Sequence, residues 1–405
     1  MTSPTEELFA RALGLDQPWT VTHITFSQTD QRLDIQVDFP SGSTFTCPRC
    51  QQKGCKAYDT TDKSWRHLDF FQYQAYVHAR VPRIQCPKCG ILQVELPWTR
   101  PGSGFTLLYE ALIMVLAREM PVKAVARLLR EHDTRIWRVI EHYVQAAREK
   151  DLYFDVVQLG IDETSRRKGH QYVTLFVDLE TARVIFATEG KDSATIGCFS
   201  NYFHDQGGDS EAVKDICCDL SPAFISGVEE CFPNARITFD RFHVMKLMGQ
   251  AVDQVRRAEQ TWDRSLKGSR YVWLKNPENL SLKQQDLLAQ MLQQHRPTAR
   301  AYQIRLSLRD FFNQSADQAE DYLKSWYFWA THSRLAPVIE VAHMVKRHWQ
   351  GILNFTRTRI SNGLLEGINS LVQAARTKAR GYRTSEYFIT MIYLIAGKLN
   401  LGLPT

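Results

Sequence analysis

The chain lacks any apolar run near the roughly 18 residues that a membrane-spanning helix needs. Its best stretches, residues 107–117 and 387–397, are short, and the first is interrupted by Glu110. It also lacks a basic leader followed by an apolar core, because the opening MTSPTEELFARALGL carries Glu6 and Glu7. A cytoplasmic protein is expected, with no membrane partner. Glycine (21) and proline (15) are too sparse among 405 residues for a collagen-like or largely disordered chain. The motifs G-x-S-x-G, G-x-x-x-x-G-K-[ST], G-x-G-x-x-G and H-E-x-x-H are all missing, which removes the commonest hydrolase, nucleotide-binding and zinc-protease readings.

What is present is unevenly placed. The net charge of +6 arises at the C-terminal end, where residues 341–405 hold nine Lys or Arg against Glu366 and Glu386. Such a segment suits a polyanion, although a solvated basic helix has the same composition. Nine cysteines without an export signal argue for metal binding or burial rather than disulfides.

Four of those cysteines are patterned. Cys47-Pro48-Arg49-Cys50 recurs as Cys86-Pro87-Lys88-Cys89-Gly90, 35 residues on. Two residues between thiolates let one tight turn aim both sulfurs at a single tetrahedral ion, and Gly90 allows the twist that closes such a turn. One closed, structural Zn²⁺ is predicted, with residues 65–83, rich in aromatic and β-branched side chains, forming a hairpin between the knuckles. Cys55, His67 and His78 could substitute as ligands but read rather as satisfied surface or core residues, and Cys198, Cys217, Cys218 and Cys231 read as core residues.

The periodicity predicts a β-rich zinc module over 1–98, with strands in 20–45 and a Pro/Gly-dense linker at 97–104. Helical spacing follows over 105–148, where three short helices match a helix-turn-helix whose last helix would present Thr134, Arg135, Trp137 and Arg138 to DNA. A plain helical hairpin fits the same spacing. Residues 152–244 read β-β-β-α-β-α-β, the ribonuclease H arrangement, in which acids at adjacent strand ends converge. Residues 245–355 read as an all-helical insertion. Residues 356–405 return to the catalytic core with a helix led by Asn362 and carrying Glu366. The fold class is thus mixed α+β and α/β, in several domains.

Asp162 and Asp219 each end a strand-like run, and Glu366 lies in a helix's first turn. Singly, each could start a turn or answer a helix dipole. Together they offer the carboxylate oxygens that two Mg²⁺ ions need for in-line phosphoryl transfer, one activating a water or 3′ hydroxyl and the other stabilising the leaving oxygen.

GIDETSRRKGHQYVTLFVDLET, CDLSPAFI, FPNARITFDRFHVMKLM and SNGLLEGINSLVQAARTKARGYR, together with the knuckles and the helix-turn-helix, resemble bacterial insertion-sequence transposases of the ISL-three group over nearly the whole chain. The resemblance implies a DDE triad of Asp162, Asp219 and Glu366 holding Mg²⁺, with Mn²⁺ as an alternative. Asp240 and His243 look like a D-x-x-H motif of such enzymes, His243 positioning a phosphate or proton; Asp240 is the runner-up second acid. Arg376, Lys378, Arg380 and Arg383 would meet phosphates beyond Glu366, with Asn369 and Gln373 on the same stripe. The expected partner is double-stranded DNA, both transposon ends and target, bound by a homodimer or higher oligomer associated with the nucleoid. Two other readings share these features: a zinc and helix-turn-helix regulator with an inactive nuclease-like domain, and a structure-selective nuclease.

Overall fold

The computed structural model describes residues 3–167, 171–294, 296–360 and 363–404, which form two compact units. One holds the chain up to Ala147 with the last residues from Asn400, and the other runs from Arg148 to Leu399. Asn362, expected as a helix cap, lies outside the described residues.

The first unit opens with α1 (Pro4–Ala12), capped reciprocally by Ser3 and Glu6. Its strands are β1 (Thr20–Ser27), β2 (Arg32–Asp38), β3 (Thr44–Phe45), β4 (Cys55–Phe70), β5 (Tyr73–Cys86) and β6 (Gly90–Gln93). They pair in the order β1-β2-β5-β4-β3, with β6 on β5. Trp19 and Trp65 each pack edge-on against Trp98, at 5.0 and 5.7 Å between ring centres, and all three are buried.

Three helices follow, α2 (Leu107–Glu119), α3 (Val122–Leu129) and α4 (Asp133–Arg148). The turn between the last two is made by Arg130 in the left-handed region (φ 56°), and the Tyr109 hydroxyl donates to the carbonyl of Leu129. The stretch 97–104, expected as a linker, is no free tether. Glu110, fully buried, accepts from Arg100 Nε (2.9 Å), Ser103 Oγ (2.6 Å) and Tyr143 Oη (3.1 Å). The carboxylate that breaks the apolar run in the sequence is what clamps this segment to the helices, because a buried charge persists only when it is fully hydrogen-bonded.

The second unit is built on β7 (Gln158–Arg167), β8 (Gln171–Asp178), β9 (Arg183–Glu189), α5 (Ser193–Asp205), β10 (Asp215–Cys218), α6 (Pro222–Cys231) and β11 (Arg236–Phe239). The sheet order is β11-β10-β7-β8-β9, with β7, β8 and β9 antiparallel and β10 parallel to both β7 and β11. β10 is buried at all four residues, as a central parallel strand should be.

Helices then follow in series: α7 (Arg241–Gln260), α8 (Arg270–Leu274), α9 (Leu282–Leu292), α10 (Pro297–Phe311), α11 (Ala316–Thr331), α12 (Ala336–Arg347), α13 (Trp349–Thr358), α14 (Gly363–Lys378) and α15 (Ser385–Ala396). The helical stretch shares one apolar core with the sheet, in which Phe176, Phe199 and Phe239 continue into Val252, Leu308 and Phe355. Trp273 and Trp326 are buried in that core, whereas Trp262 is exposed. α14 lies on β7 so closely that a Cβ on Gly160 would come within 2.7 Å of Leu365 and 2.8 Å of Leu179. Only glycine allows this approach.

Candidate active site and metal centre

The two cysteine knuckles meet because the β4–β5 hairpin has nearly equal arms. Ala57 pairs with Ile84, which returns the end of β5 to the start of β4, where the first knuckle lies. Gly90 (φ 79°) opposite Cys86, and Gln51 (φ 59°) after Cys50, make the tight turns. The Sγ atoms of Cys47, Cys50, Cys86 and Cys89 all lie within 4.8 Å of one another, and Cys50 is 3.6 Å from Cys86. Burial pushes the Cys86 thiol up, but the amides of Lys88 and Cys89 and the neighbouring thiols draw it down to about 6, favouring a thiolate. Four thiolates clustered this way fit a structural Zn²⁺. The substitute ligands are engaged elsewhere: His67 Nδ1 with Thr106 Oγ1 (2.8 Å), His78 with Asp34 and Ser64, and Cys55 with the carbonyl of Gln52.

On α4, Thr134 and Arg138 are exposed. Trp137, expected beside them, is buried, and Arg135 is committed to Glu131 (2.6 Å), the carbonyl of Gly104 (3.3 Å) and the face of Phe105.

The acids gather at the end of the parallel strands. Gly160 of β7 pairs with Cys217 of β10, and Cys218 pairs with Phe239 of β11. Continuing those registers puts Asp162, Asp219 and Asp240 in one row on one face of the sheet. Asp162 does not end its strand as the sequence pattern suggested. β7 continues to Arg167, paired with β8, and it is the parallel neighbour β10 that stops beside it.

Each aspartate is anchored. Asp162 Oδ1 accepts from the Glu163 amide (2.8 Å), and its Oδ2 from Asn369 Nδ2 (2.6 Å). Asp219 Oδ1 accepts from the amide of Ser221 (2.9 Å). Asp240, buried, caps α7 through the amide of Phe242 (3.1 Å), and its Oδ2 lies 3.3 Å from His243 Nδ1. Burial raises Asp162 to about 6, with Asp219 and Asp240 adding repulsion. The Asp240 carboxylate raises the pKa of His243 against the effect of its partial burial. Glu163 is likewise raised, first by burial and then by Asp219, so a further carboxylate shares this field.

Glu366 is exposed, in the first turn of α14, and borders the same cavity as Asp240. It is one helical turn before Asn369, the residue that holds Asp162, so α14 presents it toward the aspartate row. Further along that stripe Gln373 donates to Thr164 and Ser165, and Arg376 to the carbonyls of Ser165 and Arg166 at 2.9 Å each. Arg376 therefore staples the helix to the strand, whereas Lys378, Arg380 and Arg383 are exposed. Hard, anionic oxygen donors in this number suit divalent cations such as Mg²⁺. The pattern in the sequence marked the acids; that Asn369 bonds to one of them could be read only as a shared helical stripe.

Comparison with known proteins gives matches along the chain. A transposase DDE-domain model of the ISL3 group matches residues 159–392, the helix-turn-helix domain of transposase family ISL3 matches 94–144, and the zinc-finger of transposase IS204/IS1001/IS1096/IS1165 matches 43–89. The transposase for insertion sequence element IS1557 from Mycobacterium tuberculosis is 29% identical, covering 96% of this chain and 94% of its own. The transposase for insertion sequence element IS1001 from Bordetella parapertussis is 27% identical, covering 87% of this chain and 89% of its own. With the transposase model spanning more than half its length, this chain belongs to the ISL3 family of transposases, DNA-cleaving and strand-transfer enzymes with a zinc ribbon and a helix-turn-helix.

Proposed function

We propose that Asp162, Asp219 and Glu366 are the metal-binding triad of a ribonuclease H-like core that cuts DNA at the terminal inverted repeats of an insertion sequence and joins the freed 3′ ends to a target. The observation that carries this reading is the aspartate row beside α14, with Asn369 bonded to Asp162 one turn from Glu366. Two bound Mg²⁺ ions, or Mn²⁺ in their place, would supply activation of the attacking oxygen and neutralise the leaving one.

The chain's own residues do the rest. Asn369 fixes the rotamer of Asp162, leaving its outward lone pairs for coordination. Asp240 is a positioning residue, since it is spent on capping α7 and on orienting His243. His243, held toward its charged form, takes a non-bridging phosphate oxygen or passes a proton to the departing strand. Arg138 on α4 contacts the duplex in its groove, while Lys378, Arg380 and Arg383 clamp phosphates; Arg135 and Arg376 serve these surfaces by holding them in shape.

The division into 1–98, 105–148, 152–244, 245–355 and 356–405 then corresponds to zinc module, DNA-reading helices, catalytic strands, helical insertion and catalytic helices. Two element ends must be cut and joined together, so the working form is a homodimer or larger assembly on DNA, in the cytoplasm at the nucleoid. The test is Mg²⁺-dependent cleavage of a duplex carrying the element's end, comparing wild type with Glu366→Gln. Lost cleavage with retained binding supports the triad; equal cleavage removes Glu366 from it.

A further inference from the structure

Arg305 is a buried cation that makes no salt bridge among the described residues, Glu278 acting on it only from a distance. It is only 7% exposed, in the wall of a cavity of about 1020 Å³ that has Asp240 and Glu366 on its border. Its Nη2 donates to two neutral oxygens, the carbonyl of Leu274 and Asn276 Oδ1, at 3.0 Å each. Nε and Nη1 have no hydrogen-bond partner among the described residues. Burial pushes its pKa down, and the neighbouring Arg309 adds to this, against the pull of Tyr302 and Glu278.

The rest of the wall shares the imbalance. Arg241, Lys246, Gly249, Asp253 and Arg257 recur along one face of α7, which gives a floor about 24 Å long at 1.5 Å per residue. Asp253 is shared by Arg256 (2.8 Å), Arg257 (2.8 Å) and Arg270 (3.5 Å). Away from the catalytic acids, five cations line the cavity, Lys246, Arg257, Arg270, Arg305 and Arg309, against two acids, Asp253 and Glu278, the latter already paired with Arg309. Gly249, in mid-helix where glycine is unfavourable, keeps the floor open, and a Cβ there would meet only Leu274, at 4.0 Å. Phe242 also borders the cavity, is 54% exposed and follows Asp240 by two residues.

We propose that this cleft holds an unpaired segment of DNA strand continuous with the scissile phosphate, its phosphates neutralised by Arg305 and its neighbours and one base stacked on Phe242. Cations lining a groove beside an exposed aromatic ring are what single strands require. The volume is that of a large small-molecule site, enough for a few nucleotides of one strand and too little for a duplex. The inference rests on the triad reading, because it takes the acids as the place where the strand is cut.

The test uses full-length protein and fluorescein-labelled dT12, with excess unlabelled blunt duplex present to occupy the duplex-binding surfaces. Arg305→Met is expected to weaken dT12 binding about tenfold, with Arg305→Lys retaining most of it. Gly249→Leu fills the floor without altering charge and improves helix propensity; it should weaken dT12 equally without lowering the melting temperature. An iodouracil-substituted strand should crosslink to the peptide containing Phe242. Unchanged dT12 binding by Gly249→Leu, or crosslinks confined to residues 1–147, overturns the proposal. Asp162→Asn separates the two claims: if it cleaves normally the triad fails, whatever the oligonucleotide binding shows.

Discussion

The cysteine cluster and the proposed acid site differ in how far each is assembled by the protein alone. The four cysteine sulfurs stand within 4.8 Å of one another, and among the described residues no group of three carboxylates and imidazoles closes to that spacing. Thiols can be neutral and pack together before a metal arrives. Carboxylates in a row repel, and at Asp162 that repulsion adds to the burial that chiefly raises its pKa. The cysteine site is therefore part of the fold, whereas the proposed acid site is held slightly open, its three aspartates each tied by an amide, and Asp162 by Asn369 as well, with Glu366 left exposed.

The largest effect that would break this contrast is on the zinc side. Cys86→Ser should abolish zinc binding and unfold the first unit, since structural zinc in finger peptides contributes on the order of 10 kcal/mol, comparable to a domain's whole stability. Calorimetry with metal analysis should show zinc lost and one transition gone, with the transition of residues 148–399 retained. If the first unit still melts cooperatively without zinc, the cysteine cluster is no more structural than the acids.

On the acid side, Asp162→Asn should reduce cleavage by at least about a thousandfold while leaving the fold intact. Acidity should also act on the two units in opposite directions. Asp162, raised to about 6, contributes stability that is full below its unfolded value near 4 and is lost as pH rises through 6. Burial lowers His67 to about 4, so its contribution is full above 6.5 and is lost as pH falls through 4. Each is worth roughly 3 kcal/mol. Zinc-loaded protein without added Mg²⁺, melted at pH 4.5 and 7.5, should show the difference, with Asp162→Asn and His67→Gln each cancelling its own part. A shift of the same sign in both units would sink the assignment.

A smaller effect tests the tie itself. Asn369→Ala should lower kcat about 10–100-fold with little change in KM, because it loosens the ligand rather than removing it. Its stability cost should be about 1 kcal/mol, the hydrogen bond from Nδ2 to Asp162, since Oδ1 has no partner among the described residues. A change confined to KM would place Asn369 on the DNA instead.

What the sequence disclosed follows the same divide. The knuckles were legible because their spacing is local, and the sequence of strands and helices along the second unit because alternation and helical period are local too. The acid row was legible only as residue types after apolar runs. Its geometry depends on β10 stopping opposite Asp162 in mid-strand, a register no local pattern encodes. Arg305 gave no signal at all, since an arginine on a helix reads as surface until its burial is seen. Arg135 and Arg376 are the converse: their charge suggested DNA, and within the chain Arg135 is engaged by Glu131 and the carbonyl of Gly104, Arg376 by the carbonyls of Ser165 and Arg166.

That last difference yields the finest test. Arg138 and Arg135 are one turn apart on α4, yet only Arg138 is exposed and unengaged with Glu131, Gly104 and Phe105. Arg138→Ala should weaken duplex binding and reduce the slope of log affinity against log salt by about one, the loss of a single phosphate contact. Arg135→Ala should leave that slope alone and lower the stability of the first unit by about 1 kcal/mol, through the lost hydrogen bonds and ring contact. If the two substitutions exchange these signatures, the guanidinium of Arg135 leaves Glu131 when DNA arrives, and the third helix reads DNA with the residue that now supports it.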